Sequence, residues 1–269
     1  MRLSQVLLLM ALASCQGPSP QRQAPPDLES RWKLYKAADP AWPRAREEWL
    51  QLGAKEREVL VVNLILDMRA GAGTAWLRPL AELEAVGPAV VPYALDALQA
   101  SRSDAVTRDR CIELLARVAD EAVLAAAYED AAQDERLRAS IVAAVGRRRS
   151  AEASDLLARV LVEDRSWQTR ARAAAGLAVC DVAAESRAAS ALIAALADSD
   201  LFVAREAAEV IAAHRLLAAA QPLLVLAERA HRQRDERAFS AALEALRSVT
   251  GHPEIGNSIE DWRAFLSGR

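Results

Sequence analysis

The stretch TRARAAAGL at residues 169–177 decides the fold, because the chain carries the same pattern five times. The first position is apolar or Thr, the second is often Arg, the fifth and sixth are small or apolar, and the ninth is apolar. The other copies are TRDRCIELL (107–115), LRASIVAAV (137–145), VAREAAEVI (203–211) and AFSAALEAL (238–246). Successive copies are 30, 32, 34 and 35 residues apart, which is the length of two short helices and their turns.

A second apolar segment precedes each copy, and we expect it to form the first helix of a hairpin. These segments lie near residues 88–98, 121–132, 151–162, 188–197 and 221–230. The chain has only 10 glycines and 4% aromatic residues, a composition typical of helical proteins. Each hairpin can bury its apolar stripe only against its neighbours. The sequence therefore predicts an all-α fold, an α-solenoid of about five helical hairpins.

The repeat pattern resembles the bacterial HEAT-like repeat, in the short form called phycobilisome-lyase-like, over residues 76–250. Gly87-Pro88 and Val91-Pro92 are also similar to the usual opening of a first helix. In HEAT arrays the Arg at the second position bonds to an Asp in a neighbouring turn, so the resemblance implies a structural ladder of charge-assisted hydrogen bonds. Its members would be Arg108, Arg138 and Arg170 with Asp104, Asp134 and Asp164. Because Ala204 and Phe239 replace the Arg later, the ladder should stop after the third repeat.

Helical segments are expected on both sides of the repeats. Residues 28–75 predict an N-terminal helical region, whose most apolar helix covers residues 56–68. Residues 251–269 predict a C-terminal capping helix that begins at Ser258, with Asp261 three residues later as in a capping box. Trp262, Phe265 and Leu266 share one face of this helix, and we expect them to cover the last repeat.

The first residues are typical of a secretory signal peptide, predicted over residues 1–14. The apolar run at residues 6–13 is too short to cross a bilayer. Leu-Ala-Ser-Cys at residues 12–15 resembles the bacterial lipobox, which implies a palmitate-type lipid anchor on Cys15 and export to the cell envelope. Gln16 rather than Asp after the cysteine resembles the lipoproteins of two-membrane bacteria that are released to the outer membrane, which implies that location, facing the periplasm. An ordinary signal peptide with a chance cysteine is the alternative. Residues 15–27, rich in proline, predict a disordered tether.

Composition and motifs argue against several kinds of partner and site. A net charge of −3 and the expected export argue against nucleic acid as a partner. The three histidines have no second ligand at metal-binding spacing, and no phosphate loop or nucleophile elbow occurs. We therefore expect no catalytic residue, metal, cofactor or small-molecule substrate. Cys111 and Cys180 are expected inside helices as buried free thiols, although an oxidising compartment would permit a disulfide between them.

Positions three, four and seven of each copy are expected to face outward, away from the core positions. In the second and third repeats these residues are mostly small: Ala139, Ser140, Ala143, Ala171, Arg172 and Ala175. The first, fourth and fifth repeats supply charged ends to this face: Asp109, Arg110, Glu113, Arg205, Glu206, Glu209, Ser240, Ala241 and Glu244. The pattern predicts a groove that admits a protein or peptide. The alternative is that these small residues let adjacent helices pack closely. Trp167, expected in the turn of the third repeat, either caps the neighbouring repeat or anchors a partner.

The expected function is a membrane-anchored, non-enzymatic interaction scaffold or adaptor of the bacterial cell envelope, with a protein or peptide partner. Two alternatives remain open: an accessory subunit of an envelope enzyme, and a structural protein that contacts cell wall or lipopolysaccharide. The basic run at residues 147–149 is a second candidate contact, because it could touch an anionic head group.

Overall fold

The computed structural model describes residues 51–100 and 104–268 of the chain. These residues form thirteen α-helices and three 3₁₀ helices, and none of them lies in a strand. The predicted all-α fold of repeated helical hairpins is confirmed. The expected signal peptide, Cys15, the tether and residues 28–50 lie outside the described residues. No helix in the described part of the chain is both long enough and apolar enough to cross a membrane.

The chain divides into two compact units, Met1–Val123 and Leu124–Arg269. Helix α1 of the first unit packs against the three that follow it. The four helices are α1 (Ala54–Ala70), α2 (Leu77–Val86), α3 (Val91–Ala100) and α4 (Ala105–Val118), with a 3₁₀ helix at Gly87–Val90. Arg110 on α4 donates to the carbonyl oxygens of Met68 and Gly71, at the C-terminal end of α1. The apolar helix expected over residues 56–68 is therefore α1.

The remaining helices follow the predicted repeat. They are α5 (Glu121–Asp130), α6 (Glu135–Val145), α7 (Ala151–Glu163), α8 (Trp167–Gly176), α9 (Arg187–Ala195), α10 (Leu201–His214), α11 (Ala220–Gln233), α12 (Glu236–Thr250) and α13 (Ile259–Ser267). The 3₁₀ helices Leu177–Val179 and Leu217–Ala219 connect the hairpins. The five copies of the pattern fall on α4, α6, α8, α10 and α12. The expected first helices correspond to α3, α5, α7, α9 and α11.

Successive second helices of the second unit pack directly on one another, α6 on α8, α8 on α10 and α10 on α12. The fifth, sixth and ninth positions of every copy are buried, as Ala173, Ala174 and Leu177 show in the third. Small residues allow a close approach between α6 and α8. A Cβ added to Gly176 would lie 2.8 Å from the Cα of Gly146, which is shorter than any ordinary contact.

We expect Gly176→Ala to destabilise the second unit by about 1–3 kcal/mol, as overpacking of a close contact usually does. The added methyl group meets backbone at Gly146 and the side chain of Leu157, so α6 or α8 must move. Urea denaturation followed by circular dichroism measures the loss. Gly256→Ala is the matched control, because a Cβ there meets open space. Equal midpoints for the two variants would contradict the close approach.

The ladder of charge-assisted hydrogen bonds is present with different partners, so the predicted pairing is wrong. Asp104 and Asp134 cap their own helices, accepting from the backbone N–H groups of Thr107 and Leu137. Each ladder arginine donates instead to an Asp in the turn of the following repeat. Arg138 donates to Asp164 at 3.0 Å, and Arg170 donates to Asp198 at 2.7 Å. The physical reason is that the first backbone N–H groups of a helix have no acceptor within the helix, so they donate to the nearest carboxylate. Arg108, the remaining predicted member, is half-buried on α4.

Both ladder aspartates sit two residues before an N-cap residue. Asp164 accepts from the backbone N–H of Ser166, and Asp198 accepts from that of Asp200. These contacts fix each carboxylate in the turn, where the arginine of the preceding second helix reaches it. Asp198 was therefore recognisable in the sequence as the counterpart of Asp164, one repeat later.

The tail forms the expected short helix, α13, and packs against α11. Ser258 caps it by accepting from the N–H of Asp261. Trp262 is 0% exposed, and its Nε1 donates to the carbonyl oxygen of Gly256 at 3.1 Å. Phe265 meets the Trp262 ring edge-on at 5.9 Å, and Leu266 is half-buried. The tail therefore covers the first helix of the last repeat.

Cys111 and Cys180 are both buried free thiols. Cys111 lies on α4, and burial raises the pKa of its thiol to about 12. Cys180 follows the 3₁₀ helix Leu177–Val179, so its expected place inside a helix is wrong. Burial also raises the pKa of the Cys180 thiol, which keeps both groups protonated and unreactive.

Candidate functional site

The groove expected over the second and third repeats is largely filled by helix packing. Ala139, Ser140 and Ala171 are buried, so their predicted outward positions are wrong. The third position faces the neighbouring second helix, because α6 and α8 lie close together at their glycines. Ser140 also turns inward, donating to the carbonyl oxygen of Arg136. Exposed surface remains at Arg172 and Ala175, and Ala143 is half-buried.

Trp167 occupies the first turn of a helix, so its predicted place in the turn between helices is wrong. It is the first residue of α8, directly after the N-cap residue Ser166. Its ring lies edge-on to Phe202, the second residue of α10, with ring centroids 5.6 Å apart. Trp167 is 40% exposed and Phe202 is 42% exposed. Trp167 therefore packs on the next repeat and also presents aromatic surface to solvent.

Arg205 extends this aromatic surface along α10. Its guanidinium lies over the Phe202 ring, 4.3 Å from the centroid, where the ring quadrupole attracts a cation. It also pairs with Glu206 at 2.8 Å and with Glu209 at 3.5 Å. We call Trp167, Phe202 and Arg205 the aromatic–arginine cluster.

An open cavity of about 420 Å³ lies between α10 and α12. Its lining residues are Arg205, Glu209, Ala212, Arg237, Ser240, Ala241, Glu244 and Ala245. The three alanines leave the room between the helices that larger side chains would fill. We call this cavity the α10–α12 cleft. Because Arg205 belongs to both features, the cluster and the cleft form one continuous surface of the second unit.

The α12 wall of the cleft offers free hydrogen-bonding groups. Arg237, Ser240 and Glu244 are exposed and follow one another at helical spacings of three and four residues, so they share a face of α12. None of the three makes an ion pair or side-chain hydrogen bond with another described residue. A guanidinium, a hydroxyl and a carboxylate are therefore available to a ligand along about two helical turns.

The opposite wall carries Glu209, whose carboxyl has an elevated pKa. Partial burial raises this pKa most, the nearby carboxylates of Glu206 and Glu244 raise it further, and Arg205 opposes them. The negative charges of Glu209 and Glu244 therefore act on each other across the cleft. A cation placed between them would relieve that repulsion.

The sequence pattern found part of this site. Arg205, Glu209, Ser240, Ala241 and Glu244 hold positions that the pattern had placed outward, at the charged end of the predicted groove. Phe202 and Arg237 were missed. Each stands immediately before the first position of its copy, and a large side chain two residues after the N-cap residue is the signal that could have found it.

No cluster of three or more His, Cys, Asp or Glu side chains that could hold a metal ion occurs within residues 51–100 and 104–268. The expected partner-binding residues Ala143, Arg172 and Ala175 do not contribute to the α10–α12 cleft.

Comparisons with known proteins gave structural matches alone. No protein-family pattern and no curated protein sequence matches the chain. Human deoxyhypusine hydroxylase is 19% identical, with 94% of this chain and 92% of that chain covered and a TM-score of 0.39. An engineered protein is 16% identical, with 84% and 97% covered and a TM-score of 0.32.

These matches correct the functional expectation. The chain was expected to be a membrane-anchored, non-enzymatic scaffold, whereas one of the matched proteins, deoxyhypusine hydroxylase, is an enzyme. We therefore withdraw the scaffold function. The expectation that the chain is not an enzyme receives no support from these matches.

Proposed function

We propose that the second unit binds an extended polypeptide segment along the aromatic–arginine cluster and the α10–α12 cleft. One observation carries this proposal: an exposed aromatic pair, with an arginine stacked on it, opens directly into a cleft of free donors and acceptors. Trp and Arg are the residues that most often dominate the binding energy of protein interfaces.

The polar groups of the cleft suit a polypeptide backbone. An extended segment carries a free N–H and a free carbonyl at nearly every residue, and each needs a partner when it is covered. Arg237 and Ser240 can donate to the carbonyl oxygens, and Glu244 can accept from the N–H groups. Pockets for compact small molecules are usually enclosed and mostly apolar. This cleft is open and five of its eight lining residues are polar or charged, which favours a chain laid along it.

We expect Trp167→Ala to weaken binding of a cognate peptide about 30-fold. Truncating an aromatic anchor of this kind costs about 2 kcal/mol, and 1.4 kcal/mol corresponds to a factor of ten. The peptides come from a displayed library of random sequences, selected on the full chain and then synthesised. Isothermal titration calorimetry measures the dissociation constants for the wild type and for each variant.

Val225→Ala is the matched control, because Val225 is an exposed apolar residue on α11 and does not line the cleft. Its affinity for the selected peptides should equal that of the wild type. A library that yields no binding peptide would contradict the proposed function. So would peptides whose affinity is insensitive to Trp167→Ala.

We also propose that the chain is a HEAT-like repeat lipoprotein, exported and attached to the envelope through a lipid on Cys15. The resemblance of Leu-Ala-Ser-Cys at residues 12–15 to the lipobox supports this location, and the repeat pattern supports the family. Stable anchoring needs more than one acyl chain, since each buried methylene contributes about 0.8 kcal/mol.

Cys15→Ala should abolish the lipid attachment. Without the thiol the protein cannot be acylated, so it should remain a larger precursor or leave the membrane fraction. Mass spectrometry of the purified protein and membrane fractionation measure the change. Cys111→Ala is the control, because a buried thiol on α4 takes no part in anchoring. An unchanged mass and unchanged fractionation for Cys15→Ala would contradict the anchor.

A further inference from the structure

The free charges of the α10–α12 cleft are sorted along its length. Arg237 directly precedes the first position of its copy, as Phe202 does on the neighbouring helix, so it lies at the end that holds the aromatic–arginine cluster. Glu244 lies seven residues farther along α12, which is about 10 Å at the rise of an α-helix. Glu209 occupies the equivalent seventh position on α10. One end of the cleft is therefore aromatic and positive, and the other is negative.

We propose that the cleft selects the charge order of the bound segment: an apolar side chain against Trp167 and Phe202, then an acidic side chain beside Arg237, then a basic side chain between Glu209 and Glu244. This proposal rests on the proposed binding of a polypeptide and names the kind of segment that fits. Complementary charges fix the register and exclude wrong partners, while the apolar anchor supplies most of the affinity.

The spacing between the two charges of the segment follows from geometry. An extended chain advances about 3.3 Å per residue, so about 10 Å corresponds to roughly three residues between the acidic and basic side chains. Glu209 and Glu244 both line the cleft, and their repulsion, which adds to the larger effects of burial and of Glu206 on the pKa of Glu209, favours a cation at that end. Arg205 pairs with Glu209 at 3.5 Å but lies closer to Glu206, at 2.8 Å, and it makes no ion pair with Glu244, so Glu244 still lacks a cation.

Two synthetic, fluorescein-labelled peptides of identical composition test the charge order. Both begin with a leucine anchor; in the first an aspartate precedes a lysine by three residues, and in the second these two residues are exchanged. Fluorescence anisotropy with the full chain gives each dissociation constant. We expect the first peptide to bind about tenfold more tightly, because the second places like charges together at both ends of the cleft.

The double variant Arg237→Glu with Glu244→Arg exchanges the two charges of α12. It should therefore bind the second peptide more tightly than the first. Both side chains are exposed, so the variant should keep the helical circular dichroism spectrum of the wild type. Equal affinity for the two peptides, or an unreversed preference in the folded variant, would overturn the charge order. If library-selected peptides still bound and still lost affinity with Trp167→Ala, the proposed function would stand without it. Binding of neither synthetic peptide would also overturn the charge order.

Discussion

Replacing Arg170 with alanine is expected to destabilise the second unit by about 3–5 kcal/mol, the usual cost of removing one partner of a buried ion pair. The guanidinium donates to both carboxylate oxygens of Asp198, at 2.7 and 2.8 Å, and also to the carbonyl oxygen of Asp164. Both side chains are largely buried, at 13% and 9% exposure. The variant therefore leaves a buried carboxylate without its cation. Urea denaturation followed by circular dichroism measures the loss.

The double variant Arg170→Ala with Asp198→Ala separates the lost ion pair from the uncompensated charge. It should recover much of the stability, because removing both partners leaves no buried charge. A double variant no more stable than Arg170→Ala would contradict this account.

The pH dependence of the same pair gives a second check. Hydrogen bonds from Arg170 and from the backbone of Asp200 hold the pKa of Asp198 below its ordinary value of 3.8, although burial opposes them. A carboxyl with a lowered folded-state pKa stabilises the fold above its unfolded-state pKa, and this stability is lost as the pH falls through the folded-state value. The difference in the free energy of unfolding between the wild type and Arg170→Ala should therefore become smaller below about pH 4.

Trp262→Ala is expected to cost about 3–5 kcal/mol, the usual range for truncating a fully buried Trp. The indole is 0% exposed and forms the contact surface of α13. In a repeat array the loss falls mainly on adjacent helices, so fraying should begin at the C-terminal end. Hydrogen exchange should accelerate in residues 220–250, which hold α11 and α12.

Trp167→Ala is the control for this measurement, because it removes an equally large ring from an exposed position on α8. Its exchange rates in residues 220–250 should match those of the wild type. If Trp262→Ala also leaves the hydrogen-exchange rates of residues 220–250 unaltered, α13 does not cap the last repeat.

The repeated pattern predicted the helical core well, because burial in a second helix depends mainly on local periodicity. The fifth, sixth and ninth positions of all five copies are buried. The third position could not be predicted in this way. Whether Ala139 or Ala171 faces solvent depends on the distance to the neighbouring helix, and the Gly146–Gly176 contact between residues 30 positions apart sets that distance.

The contacts of long side chains also could not be predicted from the local sequence pattern. Arg170 lies closer in sequence to Asp164 than to Asp198, yet its guanidinium reaches across to the next turn for a carboxylate. Trp167 was recognisable as an unusual residue, but its contact with Phe202 depends on the packing of α8 against α10. The candidate site therefore emerged only when neighbouring repeats were placed together.

Photo-crosslinking tests the central claim, that a polypeptide lies in the α10–α12 cleft, most directly. Benzoylphenylalanine is introduced at Ser240, inside the cleft, and separately at Val225, on α11 outside it. Each full-length variant is irradiated with a library-selected peptide, and the crosslinked product is identified by mass spectrometry. The account predicts a crosslink from position 240 and none from position 225. Crosslinking from position 225 alone, or equally from both, would contradict it.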